Sequence, residues 1–178
     1  SSDSSNYDSC ALFIAPDLPT ATNMNSEFIF VIDCSYSMEG KSIKKASECL
    51  ELFIRSLPPN SYFNIFRFGS SYKKLFKSSI EYTNETAQEA TKLAKNLKAD
   101  LGCTELYKPL KDIFADQNRR GQRQIFILTD GEIDNVDSVL NLIKENSDKN
   151  RCFTIGIGRG CDAGLVEGMA NSSGGMSD

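Results

Sequence analysis

Six residues, Phe28-Ile29-Phe30-Val31-Ile32-Asp33, constrain what this chain can become more than any other stretch. Five consecutive aromatic or β-branched residues read as a strand buried on both faces, and an acid ends it. Ser35 and Ser37 follow at alternating positions, then Gly40 and a helical pattern. A buried strand that turns into a helix opens an α/β unit, and open α/β sheets bind ligands at the carboxyl ends of their strands. There the turn offers one carboxylate and two hydroxyls, oxygen donors that suit a hard cation such as Mg²⁺. The same three side chains can also serve only to cap the following helix, and a D-x-S-x-S spacing leaves both readings open.

The remaining pattern alternates strands with helices. Ile43, Ala46, Cys49, Leu50, Phe53, Ile54 and Leu57 recur at helical spacing from Lys41 to Leu57, and Pro58-Pro59 stops the run. Tyr62 to Phe68 reads as a strand closed by Gly69, and Lys74 to Phe76 as a short edge strand. Asn84 to Lys98 and Leu106 to Phe114 read as helices, the second requiring Pro109 in its first turn. Gln124 to Thr129 is a second buried strand that ends in an acid, Asp130, followed by Gly131. Helix from Val136 to Lys144, strand from Cys152 to Ile157 and a helix over Leu165 to Ala170 complete the series. Such alternation predicts a doubly wound, mostly parallel sheet with helices on both faces and one antiparallel edge strand. A short strand is also expected at Ala11 to Ile14, within an otherwise polar segment over residues 1–26.

Composition removes several function classes. The chain has no histidine, so a Cys/His zinc site, a Ser-His-Asp triad and a Cys-His dyad are impossible. A net charge of -4 argues against a nucleic-acid surface, and no apolar stretch is long enough to insert into a membrane. The six cysteines form no C-x-x-C pair. Cys34, Cys49 and Cys152 fall where small buried hydrophobes belong, and inert packing is expected of Cys34 and Cys103 beside the acids. That usage favours a cytoplasmic protein, with N-x-S/T sequons at Asn84 and Asn171 keeping a secreted one as the alternative. The basic run Arg119 to Arg123 reads as a solvated turn.

Two parallel strands that end in Asp33 and Asp130 bring both acids to one edge, and Thr104 on an intervening loop can add a hydroxyl. Two carboxylates so placed repel unless a cation lies between them. The set Asp33-x-Ser35-x-Ser37, Thr104 and Asp130-Gly131 resembles the metal-ion-dependent adhesion site of von Willebrand factor type A domains. The resemblance covers about Glu27 to Ser177. Further blocks carry it: Ser56-Leu57-Pro58, Phe63-Asn64-Ile65, Phe68-Gly69-Ser70, Leu101-Gly102-Cys103-Thr104-Glu105 and Phe153-Thr154-Ile155-Gly156-Ile157-Gly158. They are similar to the branch in which the A domain follows a vault/inter-alpha-trypsin (VIT) domain. Its members include the intracellular VIT-plus-A-domain proteins, vault poly(ADP-ribose) polymerase and the inter-alpha-trypsin inhibitor heavy chains.

The resemblance implies residues 27–178 as the A domain, cut short of a last strand and helix, with an upstream VIT domain in the full-length chain. It implies direct metal binding by Ser35, Ser37 and Thr104. Asp33 and Asp130 would bind directly or through water, and Mg²⁺, or alternatively Mn²⁺ or Ca²⁺, would be the ion. An Asp or Glu carboxylate of a partner protein would complete the shell, with Tyr36, Glu105 and Glu132 as the rim that partner meets. Tyr36 stands where many relatives have glycine, and Cys103 where a second glycine is common. The implied function is a non-enzymatic protein-binding module.

Two other functions remain open. One is a structural domain whose metal site is vestigial or only stabilises the fold. The other is a metal-dependent phosphohydrolase, although Ser35 stands where a haloacid-dehalogenase-type enzyme would carry its second acid. Gly156-Ile157-Gly158-Arg159-Gly160 fails the dinucleotide pattern because Cys161 falls at the third glycine. Glu39, Glu132 and Asp134 read as solvated loop acids near the site, with an auxiliary cation role as the alternative.

Overall fold

The computed structural model describes residues 26–131 and 133–157. Strand β1 (Glu27–Asp33) is buried along its whole length. Its side chains alternate, Phe28, Phe30 and Ile32 entering one core and Ile29 and Val31 the other. A 3-10 turn at Tyr36–Met38 leads into α1 (Lys41–Ser56), and β2 (Tyr62–Phe68) returns parallel to β1. Two short strands, β3 (Tyr72–Lys74) and β4 (Ile80–Glu81), pair antiparallel with β2. After α2 (Asn84–Lys95) and α3 (Tyr107–Ala115), β5 (Arg123–Thr129) adds parallel to β1 on its other side. Then α4 (Val136–Glu145) leads to β6 (Asn150–Gly156), parallel to β5. The sheet order is β3-β2-β1-β5-β6, with α1 and α2 over one face and α3 and α4 over the other.

Several boundaries differ from the pattern for identifiable reasons. The edge strand ends two residues earlier than expected, because the Asn64 side chain takes over at Phe76. Its amide donates to the Phe76 carbonyl (2.9 Å) and its carbonyl accepts the Phe76 N–H (3.1 Å), as a neighbouring backbone would. Strand β4 is too short to carry an alternation and exists by pairing with Tyr62 and Phe63. Helix α2 stops at Lys95 rather than Lys98, where the Asn96 N–H turns back to the Leu93 and Ala94 carbonyls. Pro109 is the third residue of α3 and lacks only an N–H that would have no helical partner. The segment Arg119 to Arg123 is not wholly a solvated turn. Arg123 is buried, its Nε donating to Glu27 (3.1 Å) and its guanidinium to the Ile113 carbonyl. The strand expected at 11–14 and the helix expected at 165–170 lie outside the described residues.

Candidate functional site

The chain passes from β1 to β2 on one side and later places β5 on the other, so the strand order reverses at β1. At such a point the loops leaving the two neighbouring strands diverge and open a crevice. Asp33 and Asp130 stand there. Asp33 is fully buried; its Oδ1 accepts the Ser35 N–H (2.9 Å) and its Oδ2 accepts the Thr129 hydroxyl (2.7 Å). Thr129 Oγ1 in turn accepts the Gly131 N–H (3.2 Å), so the carboxylate is tied to the turn that carries Asp130. Burial pushes the Asp33 carboxyl above its usual range, the hydrogen bonds from Ser35 and Thr129 oppose the rise, and the charge of Asp130 adds to it.

Ser35 is buried and Ser37 is exposed at the start of the 3-10 turn, with their hydroxyl oxygens 2.9 Å apart. Thr104 is buried on a loop that backbone hydrogen bonds hold against this turn. Leu101 N–H donates to the Cys34 carbonyl (3.0 Å), Tyr36 N–H to the Gly102 carbonyl (2.9 Å), and Asp134 N–H to the Thr104 carbonyl (3.1 Å). The turn after β2 supports the loop from behind, through Ser70 N–H to the Leu101 carbonyl (2.6 Å) and Cys103 N–H to Ser70 Oγ (2.9 Å). A Cβ on Gly69 would lie 2.3 Å from the Leu101 carbonyl oxygen, so only glycine permits that approach. Gly102 has φ +87°, and a Cβ there would also meet Ser70 Oγ at 2.5 Å. The structure thus gathers the turns bearing Asp33, Ser35, Ser37, Thr104 and Asp130 at one crevice.

The rim residues fare differently. Tyr36 is 67% exposed although its backbone is pinned, so its ring is displayed from a fixed position. Glu105 is half-buried and ion-paired with Lys108. Glu132 lies outside the described residues. Glu39 and Asp134 are exposed, in keeping with solvated loop acids. Cys34 packs in the core, where burial pushes its thiol up to about 12. Cys103 departs from the expected packing, because Gly102 turns the loop outward and leaves it exposed. Thr129 and Ser70 were not singled out as site residues by sequence. Thr129 reads as one more residue of a buried strand, and the contact of Ser70 spans 33 positions.

The donor chemistry fits a hard divalent cation. Among the described residues no three His, Cys, Asp or Glu side chains cluster, so the donors beyond the two acids are hydroxyl oxygens. Two adjacent ligands of an octahedral Mg²⁺ at its usual bond length lie about 2.9 Å apart. The Ser35 and Ser37 hydroxyls, hydrogen-bonded to each other at 2.9 Å, lie at that separation.

Comparison with known proteins places this arrangement in context. The profile of the family described as von Willebrand factor type A domain matches residues 26–178. The von Willebrand factor A domain-containing protein 5A of Rattus norvegicus is 41% identical over 175 residues, covering 92% of this chain and 21% of the relative. A von Willebrand factor A domain-containing protein of Dictyostelium discoideum is 46% identical over 151 residues, covering 84% of this chain and 16% of the relative. The chain therefore spans about a fifth or less of these curated relatives. Among solved structures, a von Willebrand factor type A protein from Catenulispora acidiphila superposes with a TM-score of 0.72 at 18% identity, over 86% of this chain and 38% of that one. A manganese-loaded Plasmodium vivax TRAP protein superposes with a TM-score of 0.64 at 20% identity, over 83% of this chain and 63% of that one.

Proposed function

Because the chain belongs to the von Willebrand factor type A domain family, we propose that it is a non-enzymatic protein-binding module that captures a partner's carboxylate through a divalent cation. Ser35, Ser37 and Thr104 hold the ion directly; Asp33 and Asp130 hold it directly or through water. The ion, Mg²⁺ with Mn²⁺ or Ca²⁺ as substitutes, supplies a Lewis-acidic position for an Asp or Glu of the partner. The carrying observation is the pair of serine hydroxyls at the edge length of an octahedral site, beside a buried carboxylate already oriented by two donors. A manganese-loaded protein of the same fold supports the choice of ion.

The residues of this chain prepare the site in stages. Thr129 and the Ser35 N–H fix the Asp33 carboxylate, while backbone hydrogen bonds hold the loop of Thr104 against the turn of Ser35 and Ser37. Two acids balance the charge of a divalent ion, which keeps it able to accept an anionic oxygen. Tyr36 offers an aromatic surface at the entrance, and Glu105 is neutralised by Lys108 before a partner arrives. Glu132 belongs to the proposed rim by its place after Asp130-Gly131. Among the described residues no nucleophile–base pair stands at the site, which favours binding over turnover. The matching sequence blocks make a VIT domain the expected upstream neighbour, and the cysteine usage makes the cytoplasm the expected location, with a secreted protein as the alternative.

The test is the thermal midpoint of chelator-treated protein against increasing Mg²⁺ and Mn²⁺, for wild type and Asp33→Ala. At a hundred times the dissociation constant a site of this kind adds about 2.7 kcal/mol, several degrees for a domain of this size. A saturable rise lost in the variant supports the proposal. No rise with either ion at millimolar concentration favours the reading in which the fold alone remains.

A further inference from the structure

We propose that Thr129 is a positioning residue that makes the site favour a small octahedral ion such as Mg²⁺ over Ca²⁺. The inference rests on the metal-binding reading above and names the residue that sets the choice of ion. Thr129 and Asp33 are both fully buried. A threonine hydroxyl has a single proton to give, and here it goes to Asp33 Oδ2 at 2.7 Å. The same hydroxyl oxygen accepts the Gly131 N–H at 3.2 Å. One side chain therefore joins the Asp33 carboxylate to the turn that carries Asp130.

The anchor is stiff. Thr129 ends β5 opposite Gly156 of β6, and its carbonyl accepts the Ile157 N–H (2.8 Å). Its branched β-carbon restricts the side-chain torsion as well. On the other carboxylate oxygen, the Ser35 N–H holds Oδ1 (2.9 Å), so each oxygen of Asp33 already has a donor. Ions differ in what they ask of such a group. Ca²⁺ takes about six to eight oxygens in a loose array and can grip a carboxylate by both of them. Mg²⁺ demands a compact octahedron and keeps several of its waters, so ligand number and flexibility decide between the two ions. A grip on both oxygens of Asp33 would have to displace a donor or swing the carboxylate away from Thr129. A remaining lone pair on one oxygen, or a water resting on it, is still open to an ion that needs no more. Thr129 thus penalises the larger ion without touching either.

The experiment follows the thermal midpoint of metal-stripped protein against Mg²⁺ and, separately, Ca²⁺, and compares the two half-saturating concentrations. Wild type is expected to saturate at lower Mg²⁺ than Ca²⁺. Thr129→Val, close in shape but without the hydroxyl, should raise the Mg²⁺ value by about tenfold or more and the Ca²⁺ value by clearly less. Thr129→Ser keeps the hydroxyl and should keep the wild-type ratio. Thr129→Ala leaves room for a water at Oδ2 and should move the ratio in the same direction as valine, which preserves the test if valine unfolds the domain. Thr83→Ala lowers stability through the α2 cap and should leave the ratio alone, so a merely structural role of Thr129 is read separately. Equal half-saturation of wild type by the two ions overturns this inference while the metal-binding reading stands. A ratio unchanged in the valine and alanine variants, or moved as far in serine, overturns it too. No response of wild type to either ion removes the metal-binding reading, and this inference with it.

Discussion

Asp33 is where packing and charge oppose each other in a single residue. Its carboxyl titrates above the ordinary 3.8 because burial disfavours the charged form. The folded chain therefore holds that proton more tightly than the unfolded one. The resulting stability is complete below about 3.8 and is lost as pH rises through the raised value. In Asp33→Asn the side-chain carbonyl can still accept the Ser35 N–H and the amide can donate to Thr129 Oγ1. At pH 7 with chelator this variant is expected to melt above wild type, with the gap closing as pH falls toward 4. It should also lose any gain from Mg²⁺. A thermal midpoint series across that pH range checks both halves. Gly69 presents the opposite case, a residue that matters for what it lacks. Gly69→Ala is expected to cost about 1–3 kcal/mol, because its Cβ collides with the Leu101 carbonyl. Since that loop carries Thr104, the Mg²⁺ titration midpoint should also move to higher concentration.

Elements are stabilised locally before they meet. Helix α2 begins with a reciprocal cap, the Thr86 N–H donating to Thr83 Oγ1 (3.3 Å) and the Thr83 N–H to Thr86 Oγ1 (2.8 Å). Threonine at the third helical position replaces the usual Glu or Gln of this motif, which is why the pattern is easy to miss. Thr83→Ala is expected to lower stability by about 1 kcal/mol in urea unfolding while leaving the metal response unchanged. Helix α2 then meets α1 through Ser47, whose hydroxyl donates to the Ala94 carbonyl (2.8 Å). The polar positions of each helix were readable from its periodicity. Which of them spans the helix pair was not, because Ser47 and Ala94 are 47 residues apart.

At the scale of the whole molecule the two ends of the central strand pair do different work. At the carboxyl end, β1 and β5 present Asp33 and Asp130. At the amino end, Glu27 and Arg123 sit opposite each other in register and are both fully buried. Glu27 also accepts the Ser79 hydroxyl (2.5 Å) and the Arg120 N–H (3.1 Å), so one carboxylate ties β1 to two other segments. Breaking such a pair leaves a buried charge without its partner. Arg123→Met is expected to cost about 3–5 kcal/mol, and the double variant with Glu27→Gln less than the sum of the two single changes. Urea unfolding of all four proteins measures that difference.

The sequence by itself determined the α/β alternation, the buried strand leading to Asp33 and the helical faces, because these follow from periodicity within a few turns of chain. It also marked all five proposed oxygen donors, four of them in short motifs and Thr104 through a family resemblance. Tertiary structure alone decided that Arg123 leaves the basic run for Glu27, and that Asn64 ends the edge strand. Only the fold made Thr129 the residue that orients Asp33, across 96 positions. It likewise brought Gly69 within touching distance of Leu101, and set Arg55 near Lys92 and Lys95 of α2. Such contacts depend on which strands become neighbours and how closely their loops approach. Local spacing carries no record of either, since the partners are set by the packing of the whole sheet.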